Sequence, residues 1–147
     1  MPETKYLIDN NALGPLGAQR RQSAFFKAHC RVPEEVAYES RRAKHAPQLE
    51  TITIEMSPAV LAQLAAVMKT VRVGDTQLLD LYNNKGAADP ILVAMACVLS
   101  TENLFSDRWV IVTRDEAVKA KAKDFAIDTE TPEGLVVLMD AARRAQD

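Results

Sequence analysis

Four acidic residues stand out by their position: three lie where short apolar runs of the sequence begin or end, and the fourth lies within a predicted helix. Asp9 follows the apolar part of "KYLID", Glu39 lies in "VPEEVAYES", Asp89 opens "DPILVAMACVLS", and Asp115 follows "WVIVTR". Carboxylates that are brought close together repel one another, so they must either take up protons or bind a cation. A set of oxygen ligands suits Mg²⁺ or Mn²⁺ rather than zinc. The pattern therefore indicates a divalent-metal site.

Each of these acids also has a purely structural explanation. Asp and Asn side chains bond their own backbone in turns, and Asp caps the first turn of helices. On this interpretation Asp9-Asn10-Asn11 forms a turn, Asp89 and Asp115 cap the helices that follow them, and Glu39 is a solvated helix residue. Taken one at a time, the four positions do not decide between the two explanations; their grouping favours the metal site.

The elements that must position these acids alternate between short apolar runs and amphipathic segments. This alternation is typical of an α/β domain with a central, mainly parallel sheet flanked by helices. The strands are predicted in "KYLID", "CRV", "ETITIE", "RWVIVTRD" and "FAIDT"; the helices are predicted in "GAQRRQSAFFKAHC", "PEEVAYESRRAK", "SPAVLAQLAAVMKTV", "DTQLLDLYNN", "DPILVAMACVLS", "EAVKAKAKD" and "TPEGLVVLMDAARRA". In such sheets, sites form beyond the carboxyl ends of the strands, where Asp9 and Asp115 are predicted to lie. Asp89 reaches the same crevice from a helix N-terminus.

The composition indicates one folded domain over residues 1–147. Apolar residues make up 48% and charged residues 26% of the chain, as in ordinary globular proteins. The net charge of -2 excludes a bulk basic field, so any contact with nucleic acid must come from a local patch. The isolated Cys30 and Cys97 predict reduced thiols and favour a cytoplasmic location. The run "ILVAMACVL" is too short to cross a membrane, and the acids near the N-terminus argue against a signal peptide.

Four segments, taken in order, resemble a known family. The segments "YLIDNNAL", "VPEEVAYES", "KGAADPILVAMA" and "VIVTRDEAV" resemble the PIN domain, which is the nuclease fold of VapC-type toxins. The resemblance extends from Lys5 to about Leu138 and implies a single PIN-like domain. It places the acidic quartet of the family on Asp9, Glu39, Asp89 and Asp115. Glu34 and Glu35 remain alternatives to Glu39 as the second acid.

The resemblance implies a metal-dependent endoribonuclease that hydrolyses RNA phosphodiester bonds with Mg²⁺ or Mn²⁺. Asp9, Asp89 and Asp115 are the expected metal ligands, and Glu39 completes the catalytic quartet. Asn10 and Thr113 fall on polar positions of the family and are expected to orient water or substrate. Two alternatives remain open: a PIN-like module that binds RNA or protein without cleavage, and a small metal-dependent phosphatase.

Partners follow from the same resemblance. It implies an RNA substrate, an antitoxin protein that holds the toxin in check, and a homodimer, with no membrane contact. The apolar residues of "SPAVLAQLAAVM" or "DTQLLDLY" are candidates for the dimer or antitoxin surface, although both stripes can equally face the core. The cations expected to contact RNA, unless they form solvated helix faces, are Arg20, Arg21, Arg41, Arg42, Lys44 and Lys85.

Overall fold

A five-stranded parallel sheet forms the centre of the protein. The computed structural model describes residues 2–71, 88–102 and 105–147, and for Ala88 and Asp89 it describes the backbone alone. The strands lie in the order β3-β2-β1-β4-β5, and every neighbouring pair is parallel. Their bounds are β1 (Thr4–Ile8), β2 (Cys30–Pro33), β3 (Thr53–Ile54), β4 (Arg108–Val112) and β5 (Asp128–Glu130). The prediction of an α/β fold with a parallel sheet is confirmed.

Helices cover both faces of this sheet. Connections between parallel strands are right-handed as a rule, so this strand order is expected to place the helices between β1 and β3 on one face and those between β3 and β5 on the other. The contacts of α1 with α4 and α8, and of α6 with α5 and α7, agree with two such layers. In the described part of the chain, the helices are α1 (Asn10–Leu16), α2 (Ala18–Arg21), α3 (Ala24–His29), α4 (Glu34–Glu39), α5 (Pro58–Met68), α6 (Ala88–Thr101), α7 (Glu116–Asp124) and α8 (Pro132–Gln146), with a 3₁₀ helix at Ala46–Ile52.

The strand order creates a topological switch point between β1 and β4. From β1 the chain builds outward through β2 to β3, and it then returns to the other side of β1 to form β4 and β5. The helices that leave β1 and β4 therefore cover opposite faces, which opens a crevice at the carboxyl ends of these two strands. Ile8 is in register with Val112, so the strands end at the same level. The residues that follow them, Asp9 and Thr113, are consequently neighbours.

The two strands at the switch point are anchored in the core. Leu7, Ile8, Ile111 and Val112 are completely buried. Helix α6 packs against β4, and its residues 91–96 are buried. Burying a side chain of this size contributes about 1.5–3 kcal/mol. The ends of β1 and β4 are thus held by packing on both faces of the sheet.

Several elements differ from the sequence prediction. Helix α1 was not predicted, and α4 ends at Glu39, whereas the predicted helix extended through "SRRAK", where the chain forms turns. The segment "GAQRRQSAFFKAHC" forms two helices, because the Ser23 hydroxyl accepts a hydrogen bond from Phe26 N (3.2 Å) and caps α3. In "ETITIE" the 3₁₀ helix extends to Ile52, and only two residues form strand β3. In "FAIDT" the strand starts at Asp128, after Ala126 turns the chain with a φ of 59°. The predicted helix "DTQLLDLYNN" and Lys85 lie outside the described residues.

Two further predictions from the sequence concern the cysteine thiols and membrane-spanning helices. Both cysteine thiols are free, with Cys30 buried at the start of β2. In the described ranges, no helix combines the length and the apolar character that a membrane span requires.

Candidate active site

Asp9 is a buried carboxylate at the mouth of the crevice. Its side chain is 4% exposed, although the residue directly follows a strand. One oxygen, Oδ1, accepts a hydrogen bond from the backbone N–H of Asn10 (2.7 Å) and caps α1. The other oxygen, Oδ2, accepts from the Thr113 hydroxyl (2.7 Å) and from Asn11 Nδ2 (3.3 Å). The turn expected of Asp9-Asn10-Asn11 is therefore present, and it holds the carboxylate in one orientation.

Thr113 links the two strand ends. It directly follows β4 and is fully buried. Its hydroxyl donates to Asp9 Oδ2 and accepts a hydrogen bond from the backbone N–H of Asp115 (3.0 Å). One oxygen atom thus contacts both the first and the last acid of the predicted quartet.

Asp115 caps α7, as the structural explanation predicts. Its Oδ1 accepts hydrogen bonds from the backbone N–H groups of Ala117 (2.8 Å) and Val118 (3.3 Å). A capping role leaves the negative charge in place, and that charge is close enough to raise the pKa of Asp9. Capping and metal binding are therefore compatible at this position.

The electrostatics of Asp9 are those of a poorly compensated buried acid. Burial raises the pKa of Asp9 above its ordinary value, and the charge of Asp115 adds to this effect. The hydrogen bonds from Thr113 and Asn10 act in the opposite direction but are too weak to cancel the burial. A carboxylate in this situation gains either from protonation or from a nearby cation.

Two residues that the sequence analysis did not select complete the crevice. Asn11 donates to Asp9 and accepts a hydrogen bond from the backbone N–H of Arg114 (3.1 Å), so it joins the two strand ends a second time. Ser40 is 3% exposed, and its hydroxyl donates to Asn10 Oδ1. Asn10, which was predicted as a site residue, therefore connects the end of α4 to the start of α1. A signal for Asn11 was its position directly after Asp9-Asn10.

The second acid lies at the end of α4. Glu39 is the last residue of this helix and is exposed, and it directly precedes Ser40, which contacts Asn10. Glu35 lies one helical turn earlier; it is half-buried, and burial raises its pKa. Glu34 accepts a hydrogen bond from Met56 N (2.7 Å) and so fixes the chain that follows β3. Of the three candidates, Glu39 is the nearest in sequence to Ser40, whose hydroxyl contacts Asn10 in the crevice.

Asp89 is the second residue of α6, and its side chain lies outside the described residues. Because α6 leads into the parallel strand β4, its N-terminal end is expected at the carboxyl edge of the sheet. Among the side chains that the structure describes, no three His, Cys, Asp or Glu residues form a group that could hold a metal ion. Asp9 and Asp115 are thus a pair, and Asp89 remains the predicted third ligand.

Comparison of the sequence with models of known protein families and with curated proteins gives no match. Assignment to the PIN-domain family therefore remains a prediction that depends on the four motifs and their order.

Proposed function

We propose that the protein is a metal-dependent endoribonuclease of the PIN type. The observation that carries this proposal is the junction of Asp9 and Asp115 through the Thr113 hydroxyl, at the topological switch point of a parallel sheet. Switch points are where open α/β sheets bind their ligands. Two acids at this place, with a third predicted on α6, suit the hydrolysis of a phosphodiester.

The donor set fits Mg²⁺ or Mn²⁺. Asp9 and Asp115 offer carboxylate oxygens, which are the ligands that these hard cations prefer. Burial raises the pKa of Asp9, and the hydrogen bonds that its carboxylate accepts do not offset this effect. A bound cation supplies charge compensation, and in this class of chemistry it activates water and neutralises the phosphate oxygens.

The residues of the chain have separate tasks in this proposal. Asp9, Asp115 and Asp89 hold the cation, and Glu39 completes the acidic edge from α4. Thr113 and Asn11 donate hydrogen bonds to Asp9 Oδ2 and thereby fix the orientation of the Asp9 carboxylate. Asn10 positions the start of α1 through Ser40, and because the residue is exposed it can also orient water or substrate.

The test is cleavage of a labelled single-stranded RNA in Mg²⁺, in Mn²⁺ and in EDTA. We expect cleavage at internal bonds with either cation, none in EDTA, and loss of cleavage in Asp9→Asn. Cleavage that persists in EDTA and in Asp9→Asn would reject this site. p-Nitrophenyl phosphate, a monoester, is the matched second substrate. Its hydrolysis in place of RNA would favour the phosphatase.

A second candidate function is RNA binding without cleavage. It is favoured by the hydrogen bonds that both carboxylates already accept, because turn and cap bonds hold these side chains without any cation. In that case the protein binds the RNA oligonucleotide but leaves it intact in Mn²⁺. Asp9→Asn then has no effect on the RNA beyond a change in affinity.

We further propose a cytoplasmic toxin that is held by an antitoxin and forms a homodimer. Helix α5 supports a self-associating surface: it buries only Val60 and Val67 fully, and Leu61 is 55% exposed. An apolar helix face on a protein surface is typical of partner contacts. Light scattering of the protein and of Leu61→Gln at high micromolar concentration tests this. A monomer in both would reject the dimer.

A further inference from the structure

Arg114 stands at the edge of the acidic crevice. It lies between Thr113 and Asp115 in the chain, and its backbone N–H is fixed by Asn11. Its side chain is 52% exposed and pairs with Glu133, which lies in the first turn of α8. A positive charge thus lies next in sequence to Asp115 and close to the carboxylates of the crevice.

Two arginines that the sequence analysis selected for RNA contacts have structural partners instead. Arg20 forms two hydrogen bonds with the Asp140 carboxylate (2.9 and 2.8 Å) and joins α2 to α8. Arg21 donates to the backbone oxygen of Leu13 (2.7 Å) and to Gln48 Oε1 (2.9 Å). Releasing either one breaks contacts between elements of the fold.

The partner of Arg114 is easier to replace. Glu133 is itself 64% exposed, and ion pairs between exposed side chains contribute little to stability. A phosphate offers the same planar guanidinium two oxygens and a negative charge, a pairing that arginine makes in bidentate geometry. Exchange of the Glu133 carboxylate for a phosphate therefore costs the fold almost nothing.

We infer that Arg114 binds the RNA phosphate next to the scissile one, and that Glu133 forms an ion pair with the Arg114 guanidinium when RNA is absent. This inference deepens the proposed function and rests on it. Arg114 is then the substrate-binding cation of the crevice, and Glu133 competes with the substrate for it.

The same sheet supplies a matched control. Arg108 lies at the other end of β4, roughly 20 Å away at about 3.3 Å per residue. It forms an exposed ion pair of the same kind with Asp128 (2.7 Å). Arg108→Ala and Asp128→Asn therefore remove the same charges from the edge of the sheet opposite the crevice.

The experiment measures the binding of a fluorescein-labelled single-stranded RNA by anisotropy in EDTA, over a series of salt concentrations. We expect Arg114→Ala to raise Kd roughly tenfold and to reduce the salt slope by about 0.7, the value for one phosphate contact on a single strand. We expect Glu133→Gln to lower Kd roughly two- to fivefold, because it frees the guanidinium. Neither control variant should change Kd or the slope.

Several results would overturn the inference. If the parent protein binds and cleaves RNA and Arg114→Ala matches Arg108→Ala in Kd and salt slope, the proposed function stands and Arg114 has no part in binding. If Glu133→Gln weakens binding, Glu133 is not a competitor. If the parent protein neither binds nor cleaves RNA, the proposed function and this inference both fall.

Discussion

Asp9 and Thr113 are 104 positions apart in the sequence, and a 2.7 Å hydrogen bond joins their side chains. The bond crosses from the end of β1 to the end of β4, one residue beyond the last register pair, Ile8 and Val112. The Thr113 hydroxyl, which donates this bond, also accepts a hydrogen bond from the backbone N–H of Asp115. A single buried hydroxyl group therefore connects Asp9 to Asp115, beside the second link that Asn11 provides.

Thr113→Val tests that connection. Valine has nearly the shape of threonine but no hydroxyl, so Asp9 Oδ2 loses its shortest hydrogen bond and Asp115 N loses its acceptor. Asp9 Oδ2 keeps the hydrogen bond from Asn11. Leaving a buried polar group without a partner costs about 1–3 kcal/mol, and we expect a loss of that order in urea unfolding. Thr113→Ser is the control: it keeps the hydroxyl and loses one methyl group, at about 0.8 kcal/mol. Equal stability of the two variants would contradict the role of the hydroxyl.

The raised pKa of Asp9 predicts a pH dependence of stability. The folded state holds the Asp9 proton more tightly than the unfolded state, whose pKa is near 3.8. The stabilising contribution of this proton is fully present below pH 3.8 and is lost as the pH rises through the higher pKa of the folded state. In the absence of metal, the parent protein should therefore lose stability relative to Asp9→Asn as the pH rises from 3.8.

Urea unfolding at a series of pH values measures this difference. Glu50→Gln, which removes an exposed carboxylate from the 3₁₀ helix, is the control for the loss of one charge. A stability difference between the parent protein and Asp9→Asn that stays constant with pH would contradict the prediction.

Two substitutions of Asp115 separate its role as a helix cap from the role of its negative charge. Asparagine caps helices about as well as aspartate, whereas alanine loses about 0.5–2 kcal/mol. We therefore expect Asp115→Asn to melt like the parent protein and Asp115→Ala to melt at a lower temperature. If the carboxylate binds the cation, both variants lose RNA cleavage. Parental cleavage by Asp115→Asn would show that the residue only caps α7.

Local sequence signals were sufficient to predict the parallel sheet and to place Asp9 and Asp115 just beyond the ends of two of its strands. The apolar runs of β1 and β4 each end in a buried strand followed by a polar turn, and both features depend only on neighbouring residues. The alternation of strands and helices then indicated a parallel sheet. Because parallel strands expose their carboxyl ends at one edge, Asp9 and Asp115 could be placed at the same crevice.

The contacts made by Thr113 and Ser40 could not be predicted in this way. They depend on the register of β1 against β4 and on where α4 ends, and neither follows from local pattern. The segment "ETITIE" shows the same limit. Its alternation predicts a strand, but the Thr53 hydroxyl bonds back to the Leu49 carbonyl oxygen (2.6 Å) at the end of a 3₁₀ helix. In α5, apolar spacing alone does not show that Val60 is buried while the adjacent Leu61 is exposed.

A divalent cation should stabilise the folded protein. A ligand that binds only the folded state contributes about 2.7 kcal/mol at a hundredfold excess over its dissociation constant. The cation also relieves the repulsion between Asp9 and Asp115. We expect the thermal midpoint to rise in millimolar Mn²⁺ at low salt, and to rise much less in Asp9→Asn. A midpoint that Mn²⁺ leaves unchanged would contradict a metal site.

Asp89→Asn decides whether the start of α6 belongs to the site. Asparagine preserves a helix cap, so the Asp89-Pro90 start of the helix should survive with little loss of stability. Removing the carboxylate deprives a hard cation of an anionic ligand. We therefore expect the metal-free variant to melt at or slightly above the parental temperature, because one like charge is gone from the crevice. Its single-turnover rate of RNA cleavage in Mg²⁺ should fall by orders of magnitude. A variant that melts normally and cleaves at the parental rate would remove Asp89 from the metal site and leave Asp9 and Asp115 without their third ligand.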